Sequence, residues 1–155
     1  MMHEDFMRQA IDLAVENVKN GGGPFGAVIV KDGAVVATGT NRVTANNDPT
    51  AHAEVSAIRA ACLKLGTFNL EGCVIYTSCE PCPMCLGAIY WAHLDKIYYG
   101  ANQHDAAAAG FDDSFIYREL ELKPGNRNKP IENILHDEAQ ASFDAWRSKA
   151  DKIEY

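Results

Sequence analysis

An α/β fold, a central sheet covered by helices, is what the sequence predicts, and three observations carry that prediction. Apolar residues recur at helical spacing near the N-terminus, and short β-branched runs follow further along. The two kinds of segment then come in the order α, β, β, α, β, α, β. With 155 residues, 47% of them hydrophobic, the chain suits a single domain, 1–155, able to bury its own core.

Taken in order, Phe6, Ala10, Leu13, Ala14 and Val18 form the apolar stripe of a first helix from Glu4 to Lys19, which Gly21-Gly22-Gly23-Pro24 stops. Ala27-Val28-Ile29-Val30 and Ala34-Val35-Val36-Ala37 flank Asp32-Gly33, a pair suited to a tight hairpin, so two antiparallel strands are expected. Beyond the polar Asn46-Asn47-Asp48, Asp48 is read as the cap of a helix with Pro49 at its first position and Val55, Ile58, Ala61 and Leu65 as its buried stripe. Cys73-Val74-Ile75-Tyr76-Thr77 reads as a buried strand.

Pro83 opens a second such helix, running to Trp91 and apolar nearly all round, so it is expected to be sandwiched inside the protein. Lys96-Ile97-Tyr98-Tyr99 returns as a strand, parallel to the preceding one because a helix joins them. Asp105 to Gly110 reads as a short helix and Asp112 to Glu119 as a turn or helix. Glu138 to Lys149 reads as a last amphipathic helix carrying Phe143 and Trp146.

The formal charge of −7 opposes a broad basic surface for nucleic acid, because affinity for a phosphate backbone comes from Lys and Arg displacing counterions. A small substrate is the better fit. Five cysteines cannot all pair, and Cys79, Cys82 and Cys85 are too closely spaced for a disulfide framework, which points to a metal and a reducing compartment. Met1-Met2-His3-Glu4-Asp5 precedes no continuous apolar stretch, and no segment has the roughly 18 apolar residues of a bilayer span. No membrane association and a cytoplasmic location are expected.

His52-Ala53-Glu54 and Pro81-Cys82-Pro83-Met84-Cys85 each stand near a predicted helix start, with one strand between them. The two helix N-termini can meet at one edge of the sheet, where their partial positive charge favours the thiolates that bind metal. His52, Cys82 and Cys85 make three protein ligands, the count of a catalytic zinc that keeps its fourth position for water. Cys79 could close the site as a fourth ligand, but it precedes Glu80-Pro81 at the strand end and is expected to point away. Residues two apart on a helix point in nearly opposite directions, so the ion must lie off the helix end. From there His52 ligates, while Glu54 reaches the water and moves its proton. His-x-Glu with Pro-Cys-x-x-Cys is the signature of zinc nucleobase deaminases.

At these residues the sequence resembles the cytidine deaminase superfamily, and within it the small bacterial guanine deaminases. The resemblance runs almost end to end. It covers Gly22-Gly23-Pro24-Phe25-Gly26-Ala27, Asn41, Asp48-Pro49-Thr50-Ala51-His52-Ala53-Glu54, and Thr77-Ser78-Cys79-Glu80-Pro81-Cys82-Pro83-Met84-Cys85. Ala109-Gly110-Phe111-Asp112-Asp113-Ser114-Phe115 and the terminal Tyr155 complete it and separate guanine deaminases from their relatives.

The resemblance implies a cytidine-deaminase-like three-layer α/β/α sandwich with a central mixed sheet of about five strands. It also implies one zinc ion per subunit and hydrolysis of guanine to xanthine and ammonia. Glu54 is then the proton carrier, and Asp113 accepts the adjacent N1–H and amine of guanine, donors that adenine does not present in the same way. Asn41, Phe25, Ala53 and Trp91 are the other substrate-binding candidates. It further implies a homodimer in which residues 137–155 cross to the partner, so that Tyr155 completes the partner's pocket. Two other readings stand beside it. One is a tRNA adenosine deaminase, which would need a basic surface; the other is a non-catalytic zinc-binding scaffold, which would need a closed metal site.

Overall fold

The computed structural model describes residues 2–155, and two compact units divide the chain, one running to Ser114 and the other Phe115–Tyr155. The first unit holds helix α1 (His3–Lys19), strands β1 (Gly26–Lys31) and β2 (Ala34–Thr40), and a single helical turn, α2 (Val43–Asn46). Helix α3 (Ala53–Leu65), strand β3 (Cys73–Cys79), helix α4 (Pro83–Trp91), strand β4 (Lys96–Ala101) and helix α5 (Gln103–Ala108) follow.

The sheet order is β2-β1-β3-β4; β1 runs antiparallel to both of its neighbours and β3 parallel to β4. Asp32 and Gly33 both take positive φ, 50° and 77°, as the hairpin between β1 and β2 demands. Successive side chains of a strand point to opposite faces, and here both faces are covered. Val28, Val30 and Tyr76 pack with Phe6 and Ala10 of α1 on one side. Ala27, Ile29, Cys73 and Ile75 pack with Ala53, Ala57 and Ala61 of α3 and Ile89 of α4 on the other. This is the three-layer α/β/α sandwich that the resemblance implies.

The sheet has four strands where about five are expected. After Ala101 the Asn102 side chain accepts the backbone N–H groups of His104 and Asp105, and the alanine-rich run beyond it continues as α5 in place of a further strand. Helix α3 also starts later than Asp48-Pro49. The Asp48 carboxylate instead accepts from the backbone N of Thr50 at 2.9 Å and its hydroxyl at 2.6 Å, closing a turn ahead of the helix. Of the expected stripe, Ala61 is buried, Val55 and Ile58 are half-buried with Ile58 packed against the core, and Leu65 at the helix end is exposed. Ala53 and Ala57 are buried beside Ala61, small residues where α3 lies almost in contact with β2. A Cβ on Gly39 of β2 would sit 2.3 Å from the Ala53 carbonyl oxygen, so only glycine there, facing small helix residues, permits the approach.

Helix α4 is not sandwiched within this chain. Cys85 and Ile89 are buried, but Tyr90 and Trp91 are 74% and 69% exposed, so one face packs and the other does not.

The second unit contains α6 (Ser114–Glu121, starting at the last residue of the first unit), a 3-10 turn at Pro124–Asn126, and α7 (His136–Ser148). Within it Arg127 Nε donates to the Glu119 carbonyl at 3.0 Å, and the backbone N of Asn128 donates to the Glu119 carboxylate. No residue from Phe115 to Tyr155 is buried. Among the described residues, no helix is long and apolar enough to cross a membrane.

Candidate active site

Two helix starts build the site. His52 is the N-cap of α3, in extended conformation at φ −70° and ψ 160°, which turns its ring off the helix end while Glu54 sits inside the first turn. Cys82 is the N-cap of α4, with Pro83 fixing the first helical position, and its sulfur accepts from the backbone N of Cys85 at 3.5 Å. Strand β3 delivers the chain to that point, and parallel β4 lies beside it.

His52 Nδ1 is 3.5 Å from Cys82 Sγ and 3.5 Å from Cys85 Sγ, and all three donor atoms lie within 4.8 Å of one another. Zinc–nitrogen and zinc–sulfur bonds of about 2.1 and 2.3 Å at a tetrahedral angle place N and S about 3.6 Å apart, so the spacing is that of three corners around one ion. Two thiolates and an imidazole are also a donor set that zinc accepts. The residues therefore fit the metal.

The ionisation pattern has the same cause. A hydrogen bond from Cys85 pulls the Cys82 thiol well below its ordinary value, against its own burial and with help from His52. Cys85 is pushed up by the same bond and by burial. The bond with Cys82 also raises His52, against the opposing effect of burial. A divalent ion between the sulfurs lets both stand as thiolates.

Cys79 behaves differently. Its sulfur donates to the Asn102 carbonyl at 3.8 Å, and burial pushes its thiol up to about 11. The three-donor cluster does not include it.

A cavity of about 590 Å³ opens over these groups, within the range of small-molecule sites. His52, Glu54 and Cys82 line its floor. Glu54 is only 6% exposed, and that burial pushes its carboxyl up to about 7, a value suited to taking and returning a proton. Phe25 and Phe111 make one wall, edge to face with ring centroids 5.0 Å apart. Asn41 lines another part, its Oδ1 accepting from the backbone N of Val43 at 3.2 Å. Asp113 lines the cavity too, its pKa raised first by burial and then by the charge of Cys82. Its neighbour Asp112 accepts the backbone N–H of Ser114 at 2.9 Å, the turn chemistry expected of such a pair.

Of the remaining sequence candidates, Ala53 has no exposure and its methyl lies in the core under β2. Trp91, read as a stacking wall, stands outside the residues that line this cavity, because α4 carries it away from the end that holds Cys82. Tyr155 belongs to the second unit and is 78% exposed. Sequence reasoning missed Asn17, Ser78 and Glu80. Asn17 donates to the carbonyls of Gly23 and Asn41, Ser78 Oγ accepts from Gly26 N at 3.0 Å, and Glu80 lines the cavity while accepting from Gln103 N at 3.1 Å. For Asn17 a signal existed, since an amide falls on the helix face that Ala10 and Ala14 mark as buried.

Residues 1–101 match the family described as the cytidine and deoxycytidylate deaminase zinc-binding region. The guanine deaminase of Bacillus subtilis is 57% identical over 156 residues, covering all of both chains. Its X-ray structure superimposes with a TM-score of 0.97, covering 100% of this chain and 99% of that one. A guanine deaminase structure from Nitrosomonas europaea, 32% identical, gives 0.70 over 83% of this chain and 68% of that one. The tRNA-specific adenosine deaminase of Bacillus subtilis is 37% identical over 92% of this chain and 87% of its own length. With a zinc-compatible donor set at paired helix starts and a family match across most of its length, the chain belongs to the cytidine and deoxycytidylate deaminase family of zinc enzymes.

Proposed function

We propose that this enzyme hydrolyses guanine at C2, giving xanthine and ammonia. The observation that carries guanine over other aminated rings is Asp113, an acceptor-only carboxylate lining the same cavity as His52, Cys82 and Glu54. Guanine offers N1–H and its amine side by side, and one carboxylate can accept both. Adenine has a lone pair at N1, which a carboxylate repels. The end-to-end similarity to a guanine deaminase supports the same choice.

His52, Cys82 and Cys85 hold the zinc, which supplies the Lewis acidity that makes water a nucleophile near neutral pH. Glu54 takes the proton of the attacking water and delivers it to ring N3 as C2 is attacked. It then carries the second proton of that water from the C2 hydroxyl to the amine, so the C–N bond breaks, ammonia leaves and the C2 carbonyl forms. Asn41 orients the ring through its amide, and Phe25 gives it an apolar wall. Glu54 touches the reacting atoms, and Asp113 holds the edge that carries the leaving amine.

The acidic charge of −7 argues against tRNA as the substrate, since an anticodon stem needs a basic surface. A zinc scaffold is disfavoured by a buried carboxylate facing the same cavity as a three-donor cluster. The experiment is a panel of guanine, adenine, cytosine and a tRNA anticodon stem, read by ammonia release. Release from guanine above all others is expected; none from guanine sinks the assignment.

The working form we propose is a cytoplasmic homodimer in which residues 137–155 cross between subunits and Tyr155 completes the partner's cavity. Supporting this, the second unit carries Phe143, Ile153 and Tyr155, each more than half exposed, and buries nothing. Apolar side chains in that state gain by docking on a second copy.

A further inference from the structure

We infer that Asn17 is a positioning residue for substrate binding, acting through Asn41. The inference rests on the reading of Asn41 as a purine-binding group. Asn17 lies on the inner face of α1 and is 6% exposed. Its Nδ2 donates to the carbonyl oxygen of Gly23 at 2.8 Å and to that of Asn41 at 2.9 Å. A primary amide nitrogen has two N–H donors, so one planar group ties together two segments that line the cavity from different parts of the chain.

The turn closes directly over that amide. Gly22 N donates to the main-chain carbonyl of Asn17 at 2.8 Å, and a Cβ on Gly22 would stand 2.3 Å from Asn17 Nδ2 of the side chain. A side chain at Gly22 would displace the Asn17 amide from its two carbonyl partners, so the turn and the amide are fitted to each other.

Asn41 is fixed on every other group by the same region. Its N–H donates to the Phe25 carbonyl at 3.3 Å, its Oδ1 accepts from Val43 N at 3.2 Å, and its carbonyl is held by Asn17. What is left to meet a ligand is its Nδ2. Asn17 therefore sets the direction in which Asn41 offers its donor, and a donor that is held before the ligand arrives loses less freedom on binding.

Side-chain chemistry makes the role testable. Aspartate has the shape of asparagine but would aim lone pairs at both carbonyls, whereas serine keeps one shorter donor. Asn17→Asp, Asn17→Ser, Asn41→Ala and the Asn17→Asp/Asn41→Ala double variant are compared for kcat, KM, bound zinc and Tm. Asn17→Asp is expected to raise KM roughly tenfold, with kcat within about twofold of the parent and zinc retained. Asn17→Ser is expected to give a smaller rise, and it keeps the test open if the aspartate variant does not fold. The double variant, or Asn17→Ser in the same background, is expected to be no worse in kcat/KM than Asn41→Ala alone, since residues acting through one contact do not add.

Losses that multiply in the double variant overturn the inference. So does an unchanged KM in both Asn17 variants, an equal fall in kcat and zinc content, or a wild-type kcat/KM in Asn41→Ala. The parent enzyme's rate on guanine is read separately. If that fails, guanine is the wrong substrate, and the same cycle is run on the aminated ring that the panel does support.

Discussion

The two units of this chain are both rich in helix, yet they stand in opposite states of burial. Up to Ser114, residues such as Ala27, Ile29 and Tyr76 are at most 1% exposed. From Phe115 onward the large apolar side chains stay in water, Phe143 at 57% and Ile134 at 73%. A segment of roughly 40 residues seldom supports a core unaided, because so much of its surface remains exposed on folding. The contrast separates what the first unit does for itself from what the proposed dimer would supply to the second. The first unit contains the sheet, the metal donors and the cavity, so changes there should strike stability or chemistry directly. Changes in the second unit should leave the fold standing and alter only what the tail completes.

The largest expected effect is in the first unit. Glu54→Ala removes the proton carrier and should lower kcat on guanine by roughly 10³–10⁴-fold while zinc content, measured by metal analysis, stays near one per chain. Loss of the metal instead would make Glu54 a ligand and close the site. Next comes Asp113→Asn, which replaces one acceptor with a donor facing guanine's own donors. A fall of about 100-fold in kcat/KM for guanine is expected, since each unpaired polar contact costs on the order of 1–3 kcal/mol. An unchanged kcat/KM removes Asp113 from the specificity argument.

A third change tests packing at a residue outside the cavity lining, and reaches the site only through α3, whose start carries His52 and Glu54. Gly39→Ala would place a Cβ 2.3 Å from the Ala53 carbonyl and 2.5 Å from Ala57 N, both backbone atoms. The helix must then shift from the sheet, at a cost of about 1–3 kcal/mol, seen as a lower Tm. Phe143→Ser in the second unit, examined at a concentration where the chain is monomeric, should move stability by no more than about 0.5 kcal/mol. Equal losses at the two positions would erase the distinction between the units.

Much of the first unit could be read in the sequence because its signals are local. Val28 and Ile29 sit in a continuous apolar run, Asp32-Gly33 has one economical turn, and His52, Glu54, Cys82 and Cys85 come in a spacing tied to one metal chemistry. The misplaced start of α3 arose where two local options competed. Asp48 can cap a helix or bond Thr50, and here its carboxylate takes Thr50 while His52 stands at the N-cap of α3. Trp91 and Tyr90 were harder for a different reason. A helix that is apolar all round predicts burial on every side, whereas here only the face with Cys85 and Ile89 is covered. Asn17 shows the same limit from the polar side, because its partners are carbonyls, which every residue has. Hydrophobic period places the side chain inward, but only the fold tells which backbone it meets.

The smallest expected effect on activity bears on the second unit. Deleting residues 152–155 should lower kcat/KM about tenfold, the value of one lost hydrogen bond or packed ring at the substrate, with Tm unchanged. That alone does not say whose cavity the tail completes. Co-expressing the truncated chain with Glu54→Ala does. If tails cross, a mixed dimer pairs the intact catalytic unit of one chain with the intact tail of the other. One of its two sites is then whole. Random pairing makes roughly half the dimers mixed, so the mixture should recover about a quarter of wild-type activity. If each tail serves its own chain, every site lacks either Glu54 or Tyr155, and the mixture stays near 5% of wild type, the residual rate of its truncated half. Activity at that lower level, with mixed dimers shown to have formed, would confine the tail to its own subunit.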